Sequence, residues 1–240
     1  MEQKIMLRQI ALDTETTGIN KYGPKHIGQR IIEIGAVEIL NRKITGKIFH
    51  TYLYTDKYIE EEAYKIHKIS NKFLLDKPKF NQISKKFIKF IKNSELIIHN
   101  AIFDVQFINQ ELKISKNKIK KIEKICKITD SLKIARKIFP GKRNNLDAIC
   151  KRLHLKEIKK RNIHSALFDA KILAKIFLKM TSCQLSITFK NKNKSKIKNK
   201  RKIKKENLNV IYSNKEEIHS HRKIIKNIKK SYKKCFWSKK

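Results

Sequence analysis

Apolar and polar residues alternate or recur in this chain with two clear periods. Arg8 to Asp13 is an apolar run that reads as a buried strand. Arg30 to Leu40 contains Ile-Ile-Glu-Ile-Gly-Ala-Val-Glu-Ile, rich in β-branched residues, and reads as a second strand. Asn41 to Gly46 is turn-like, and Lys47 to Tyr54 alternates as a third strand, so the first three form a meander.

The period then changes. Phe80 to Lys92 places Ile83, Phe87, Phe90 and Ile91 on one helical face. Glu95 to His99 reads as a short strand, Phe103 to Leu112 as a helix, and Ile125 to Thr129 as a further strand. Asp130 and Ser131 open a helix that runs to Phe139 and stops at Pro140-Gly141. Asn144, with Asp147 three residues on, is the expected cap of the next helix, which ends near His154. Ser165 to Met180 carries Leu167, Ala170, Leu173, Ala174, Phe177 and Leu178 on one face. Strands followed by mixed strands and helices predict an α/β domain with a mixed sheet over residues 1–181.

The pattern breaks after residue 181. Residues 190–205 are almost wholly Lys, Asn, Arg and Ser, which predicts a disordered, self-repelling linker within 182–206. Residues 207–240 regain some pattern. Leu208 to Tyr212 is strand-like, Ser213 and Glu216 have capping-box spacing, and Ile218, Ile225 and Ile228 mark a short amphipathic helix before Phe236-Trp237. So short a segment buries little surface alone, and is expected to fold against a partner.

Composition changes the picture less than the pattern does. The 240 residues hold 59 Lys and Arg against 21 Asp and Glu, a formal charge of +38. That balance suits a polyanionic partner. Lys, Ile and Asn also dominate ordinary helix surface, as A- and T-rich codons would make them, so the charge supports nucleic acid only weakly. Cys126, Cys150, Cys183 and Cys235 form no C-x-x-C pair, which signals neither a zinc site nor a disulfide framework. Met1 to Gln9 lacks an apolar signal-peptide core, and no apolar run approaches the ~18 residues of a membrane span. A soluble, cytoplasmic protein with no membrane partner is the expectation.

Acidic residues are scarce, so their placement is informative. Asp13 and Glu15 lie two apart at a strand end, on one face, where two carboxylates repel unless they share a cation. Asp104 follows the strand–turn sequence His99-Asn-Ala-Ile-Phe. His164 and Asp169 are five residues apart, which on one helix is about 140° off a shared face. Both reach one site if His164 sits in the preceding loop and Asp169 on the helix's second turn. Asp130 is well placed too, but helix capping accounts for it.

Together the motifs D-x-E, N-x-x-F-D and H-x-x-x-x-D, in that order, resemble the histidine branch of the four-acid 3′–5′ exonuclease superfamily. Arg8 to Gly18, Ile31-Ile-Glu-Ile-Gly-Ala-Val-Glu, Phe73-Leu-Leu-Asp-Lys-Pro and Phe139-Pro-Gly-Lys-Arg-Asn-Asn-Leu-Asp-Ala extend the resemblance over residues 6–181, toward the proofreading exonucleases of bacterial replicative DNA polymerases.

That resemblance implies a ribonuclease H-like sheet flanked by helices. It implies that Asp13, Glu15 and Asp169 hold one divalent ion, that Asp13 and Asp104 hold a second, and that His164 is the general base. Two such ions ~3.5–4 Å apart serve an in-line displacement, with Mg²⁺ or Mn²⁺ suited to oxygen ligands. The product would be a 5′-mononucleotide from a single-stranded 3′ end of DNA. Asp13, Glu15, Asp169, Glu62 and His67 match positions that meet the terminal nucleotide. The pattern departs at Glu61, where the family has Pro, and at Lys65, where it has Gly.

Gln184-Leu-Ser-Ile-Thr-Phe189 resembles short peptides that bind the sliding clamp. Residues 207–240 resemble the segment that binds the polymerase (alpha) subunit, through Val210-Ile-Tyr, Glu216-Glu-Ile and Phe236-Trp237. Two other readings compete: a free-standing exonuclease on RNA ends, and a non-catalytic tether. The tail argues against the first, and the complete set of five residues against the second.

Overall fold

A computed structural model describes residues 7–155, 164–182 and 212–232. Five strands form one sheet in the order β3-β2-β1-β4-β5. The strands are β1 (Arg8–Thr16), β2 (Ile31–Leu40), β3 (Lys43–Tyr52), β4 (Glu95–Ile98) and β5 (Lys127–Asp130). β1 pairs antiparallel with β2 and parallel with β4, so the chain reverses its winding at the centre of the sheet.

The first three strands form the expected meander, with a tighter turn than the pattern suggested. Asn41 and Arg42 alone make it, at φ 47 and 65, and Gly46 falls inside β3. Two left-handed residues match the twist of the flanking strands. Arg42 is an unusual choice there, but its guanidinium donates to the Leu178 carbonyl at 2.8 Å and to the Thr181 hydroxyl at 3.0 Å.

Period-two geometry sends alternate residues of the sheet to two cores. Ile10, Leu12, Ile34, Leu96 and Ile98 meet α3 (Phe80–Ile91) and α4 (Ala101–Ile114) on one face. Phe87 and Phe107 are fully buried there, each worth roughly 1.5–3 kcal/mol. Ala11, Val37, Ile39 and Ile97 meet α5 (Ser131–Ile138), α6 (Leu146–Arg152) and α7 (Ala166–Met180) on the other. Asp13 and Glu15 continue the second set.

The short helices α1 (Glu61–His67) and α2 (Asn71–Leu74) lie between β3 and α3 in sequence. Glu61 and Lys65, the two departures from the family pattern, pair with each other at 2.6 Å across one turn of α1. Such a pair adds a few tenths of a kcal/mol to an exposed helix.

Three local expectations shift. Asn145, not Asn144, caps α6 by accepting from the Ala148 amide at 2.9 Å. Asn144 is drawn away because its carbonyl meets His99 Nε2 at 2.8 Å. Asp169 stands in the first turn of α7 rather than the second, since the helix begins at Ala166. Asp130 caps α5 through the Leu132 amide, as its position indicated.

The chain divides into two compact units, residues 1–187 and 188–240. In the second, α8 (Lys215–Tyr232) is the described element. Its capping box is Asn214 with Glu217, one residue later than Ser213 and Glu216. Ile218 and Ile228 fall within one stripe and are each 39% exposed. The clamp-like peptide 184–189, most of the linker, and Val210, Ile211, Phe236 and Trp237 lie outside the described residues. No helix among the described residues is long and apolar enough to cross a membrane.

Candidate active site

The four acids and His164 line one cavity of about 300 Å³ at the carboxyl ends of β1 and β4. In an open sheet this end, where the winding reverses, is where ligands bind. The four acids arrive from three elements. Asp13 and Glu15 share the β1 face that looks toward α7. Thr14 points the other way, and its hydroxyl donates to Asp104 Oδ1 at 2.7 Å. Asp104, in the first turn of α4, therefore reaches the cavity from the opposite face of the sheet.

α7 delivers Asp169. Two β2 residues set its first turn against the sheet. Gly35, opposite Asp13 in the register, leaves room for the α7 backbone at Ala166 and Leu167. Glu33, opposite Glu15 and fully buried, accepts from the Ser165 hydroxyl at 2.8 Å and the Ala166 amide at 3.1 Å. A carboxylate there satisfies the end of a helix dipole. His50 Nε2 meets the same carboxylate at 2.8 Å. Glu33 escaped the sequence reading, although one charged residue inside Ile-Ile-Glu-Ile was the visible sign of it.

His164 lies in the segment before α7, as the spacing required. Its Nδ1 is 3.4 Å from Asp169 Oδ2, and its side chain is 44% exposed. Glu15, His164 and Asp169 each offer a ligand atom, all within 4.8 Å of one another. His164 thus stands with Glu15 and Asp169 in a donor cluster among the described residues, where the expected first ion had Asp13 beside Glu15 and Asp169.

The electrostatics fit a cation. Burial pushes the Asp104 carboxyl up to about 7, against the Thr14 hydrogen bond, and the charge of Asp130 raises it further. Four carboxyl groups around so small a space are costly to ionise together without a positive partner. Carboxylate oxygens, with at most one imidazole, suit a hard divalent ion.

A second cavity of about 360 Å³ adjoins the first and shares Thr14, Glu15 and Phe103 with it. His67 lines it and is buried rather than on the surface. Its Nδ1 accepts the Ile69 amide at 3.0 Å, and burial lowers its pKa, so the ring is neutral with its proton on Nε2. Glu62 stands at the exposed rim in an ion pair with Lys21 at 3.1 Å. Phe103 and Ile66 give the space an apolar wall.

The exonuclease family model matches residues 10–177. A DNA polymerase III subunit epsilon from Buchnera aphidicola subsp. Schizaphis graminum is 52% identical over 228 residues, covering 92% of this chain and 97% of that protein. The protein of the same name from Escherichia coli K12 is 43% identical over 236 residues, covering 96% and 97%. Among solved structures, the nuclease domain of 3′hExo, a DEDDh family member bound to rAMP, superposes with a TM-score of 0.61 at 16% identity. That match covers 74% of this chain and 93% of that one.

Proposed function

We infer, for a chain that belongs to the exonuclease family and within it to the DNA polymerase III epsilon subunits, that the cavity between β1, α4 and α7 is where 3′ ends are trimmed. The chain is a metal-dependent 3′–5′ exonuclease that proofreads for DNA polymerase III. The observation that carries the site assignment is the convergence of Asp13, Glu15, Asp104 and Asp169 from three elements onto one cavity with His164.

In the reading we favour, Asp13, Glu15, Asp104 and Asp169 hold two Mg²⁺ or Mn²⁺ ions. When bound, such ions stabilise the charge on the attacking and leaving oxygens of an in-line displacement. The protein residues then do the rest. With an Nδ1–H facing Asp169, His164 carries its lone pair on Nε2, where it takes the proton of the attacking water. Thr14 holds the Asp104 carboxyl in one rotamer. The adjoining cavity takes the 3′-terminal nucleoside, with Phe103 against the base and the His67 Nε2–H and Glu62 as polar contacts. A mispaired end has already lost pairing and stacking, so it enters at lower cost than a matched one.

Residues 182–206 act as a tether, with residues 184–189 touching the sliding clamp, and residues 207–240 bind the polymerase alpha subunit. The apolar stripe of α8, half-exposed in its own unit, supports a helix that docks on a partner. A cytoplasmic location accords with a partner of bacterial replication.

The test is release of 3′-terminal nucleotides from matched DNA, mismatched DNA and RNA. Release should need a divalent ion, favour the mismatch, and vanish with EDTA or in Asp13→Ala. Full activity of Asp13→Ala in Mg²⁺ would remove the site assignment.

A further inference from the structure

A third cavity, of about 670 Å³, opens on the far side of His99 and Asn145, which it shares with the central one. Arg136 and Lys142 line it, and no carboxylate does among the described residues. We propose that it binds the phosphodiester backbone of the DNA strand just upstream of the scissile bond, with Arg136 and Lys142 as phosphate contacts. The proposal rests on the exonuclease reading above.

Three features point there. First, the cavities adjoin in sequence: the nucleoside space, the acidic centre, and this one. A strand cut at the centre with its last nucleotide on one side must leave on another. Second, the net charge of the two sides differs. Glu15, Glu60 and Glu62 border the nucleoside space and are offset by Lys21 and Lys25, with Lys21 already paired to Glu62, so that space offers a continuing polyanion no net positive charge. Among the described residues, the charged side chains that line the third cavity are Arg136 and Lys142.

Third, the loop that presents Lys142 is built rather than loose. It is the stretch Phe139-Pro-Gly-Lys-Arg-Asn-Asn, between α5 and α6. Gly141 turns it at φ 68. The Asn144 amide donates to the Phe139 carbonyl at 3.1 Å and the Lys142 carbonyl at 3.0 Å. Arg152 lies over the Phe139 ring at 4.6 Å and donates to the Arg143 carbonyl at 3.0 Å. The loop is also fastened to the catalytic centre. His99 donates from Nε2 to the Asn144 carbonyl, and its Nδ1 lies 2.9 Å from the Ser131 hydroxyl. Because the loop is already ordered, a strand that docks there loses less entropy in binding.

The test compares two substrates on the full chain with Mg²⁺. One is an unstructured thymidine oligonucleotide. The other is an aryl ester of thymidine 5′-monophosphate, which offers a scissile phosphate but no upstream nucleotide. In R136Q/K142Q the ratio of kcat/KM on the oligonucleotide to that on the ester should fall about tenfold, through KM. The salt dependence of the oligonucleotide KM should weaken by about 1.4 in log–log slope, ~0.7 for each lost contact. K142Q alone, on an exposed side chain, should show about half that slope change and guards against misfolding of the double variant. A matched pair on the exposed side of α3, K85Q/K89Q, should leave the ratio in place. An equal fall on both substrates, an equal fall in the control pair, or no change would overturn the proposal. Failure of the unaltered chain on both substrates would remove the exonuclease reading itself, and this proposal with it.

Discussion

Gly35 of β2 and Ala166 of α7 meet backbone to backbone: a Cβ on Gly35 would overlap the Ala166 carbonyl and the Leu167 amide. The missing side chain is what lets the helix that carries Asp169 settle beside Asp13. Gly35→Ala should lift the first turn of α7. A misplacement near 1 Å costs ~10²-fold in rate, and overpacking costs about 1–3 kcal/mol. Nucleotide release and urea denaturation on the same preparation measure both. A kcat within twofold of the parent would show that the helix is positioned by other contacts.

Glu33 gives the same helix its polar anchor. Glu33→Ala leaves the Ser165 hydroxyl and the Ala166 amide without their shared acceptor. Hydrogen bonds to a charged group contribute about 1.5–3 kcal/mol, so a loss of that size is expected in denaturant melts. Release of nucleotides should slow as well, and Glu33→Gln, which keeps an acceptor oxygen, should recover much of it. Equal defects in the two variants would point to the charge of Glu33 rather than to its geometry.

Asp104 opposes folding in order to serve the site. Its folded pKa, near 7, lies above the ordinary 3.8, so the folded state holds the proton more tightly. Stability is then full below about pH 4 and falls as pH rises toward 7. Asp104→Asn removes that loss and can keep the Thr14 hydroxyl partner. In EDTA at pH 8 the variant should melt higher than the parent, by about 1 kcal/mol or more, with little difference at pH 4. It should nonetheless lose nucleotide release. A variant that melts lower at pH 8 would mean that the carboxylate is already compensated within the protein.

Removal of residues 207–240 should leave release from free DNA ends within twofold and abolish co-purification with the polymerase. Retained co-purification would move the contact to the first unit.

Much of this was legible because the strong elements obey one period each. The meander, α3 and α7 follow from apolar spacing, α5 from its start and stop signals, and the Asp13–Glu15 pair from alternation alone. What was not legible depends on distant partners. Nothing local separates Asn144 from Asn145 as a cap; His99, forty-five residues away in sequence, decides it. Nothing local allows Arg42 in a left-handed turn; the end of α7 rewards it. Helices α1 and α2, seven and four residues long, are too short to show a period. The burial of His67 likewise comes from packing that no window of sequence contains.

Arg42 and Glu33 belong to the same hairpin, yet they grip opposite ends of α7. Held at both ends, the helix is restrained against sliding and tilting, and with it the gap between the carboxylates of β1 and that of Asp169. Mg²⁺ binds oxygen at 2.0–2.1 Å and Ca²⁺ at 2.3–2.6 Å. In the two-ion reading proposed above, a gap held this way should favour Mg²⁺ over Ca²⁺, and the hairpin would contribute to that preference.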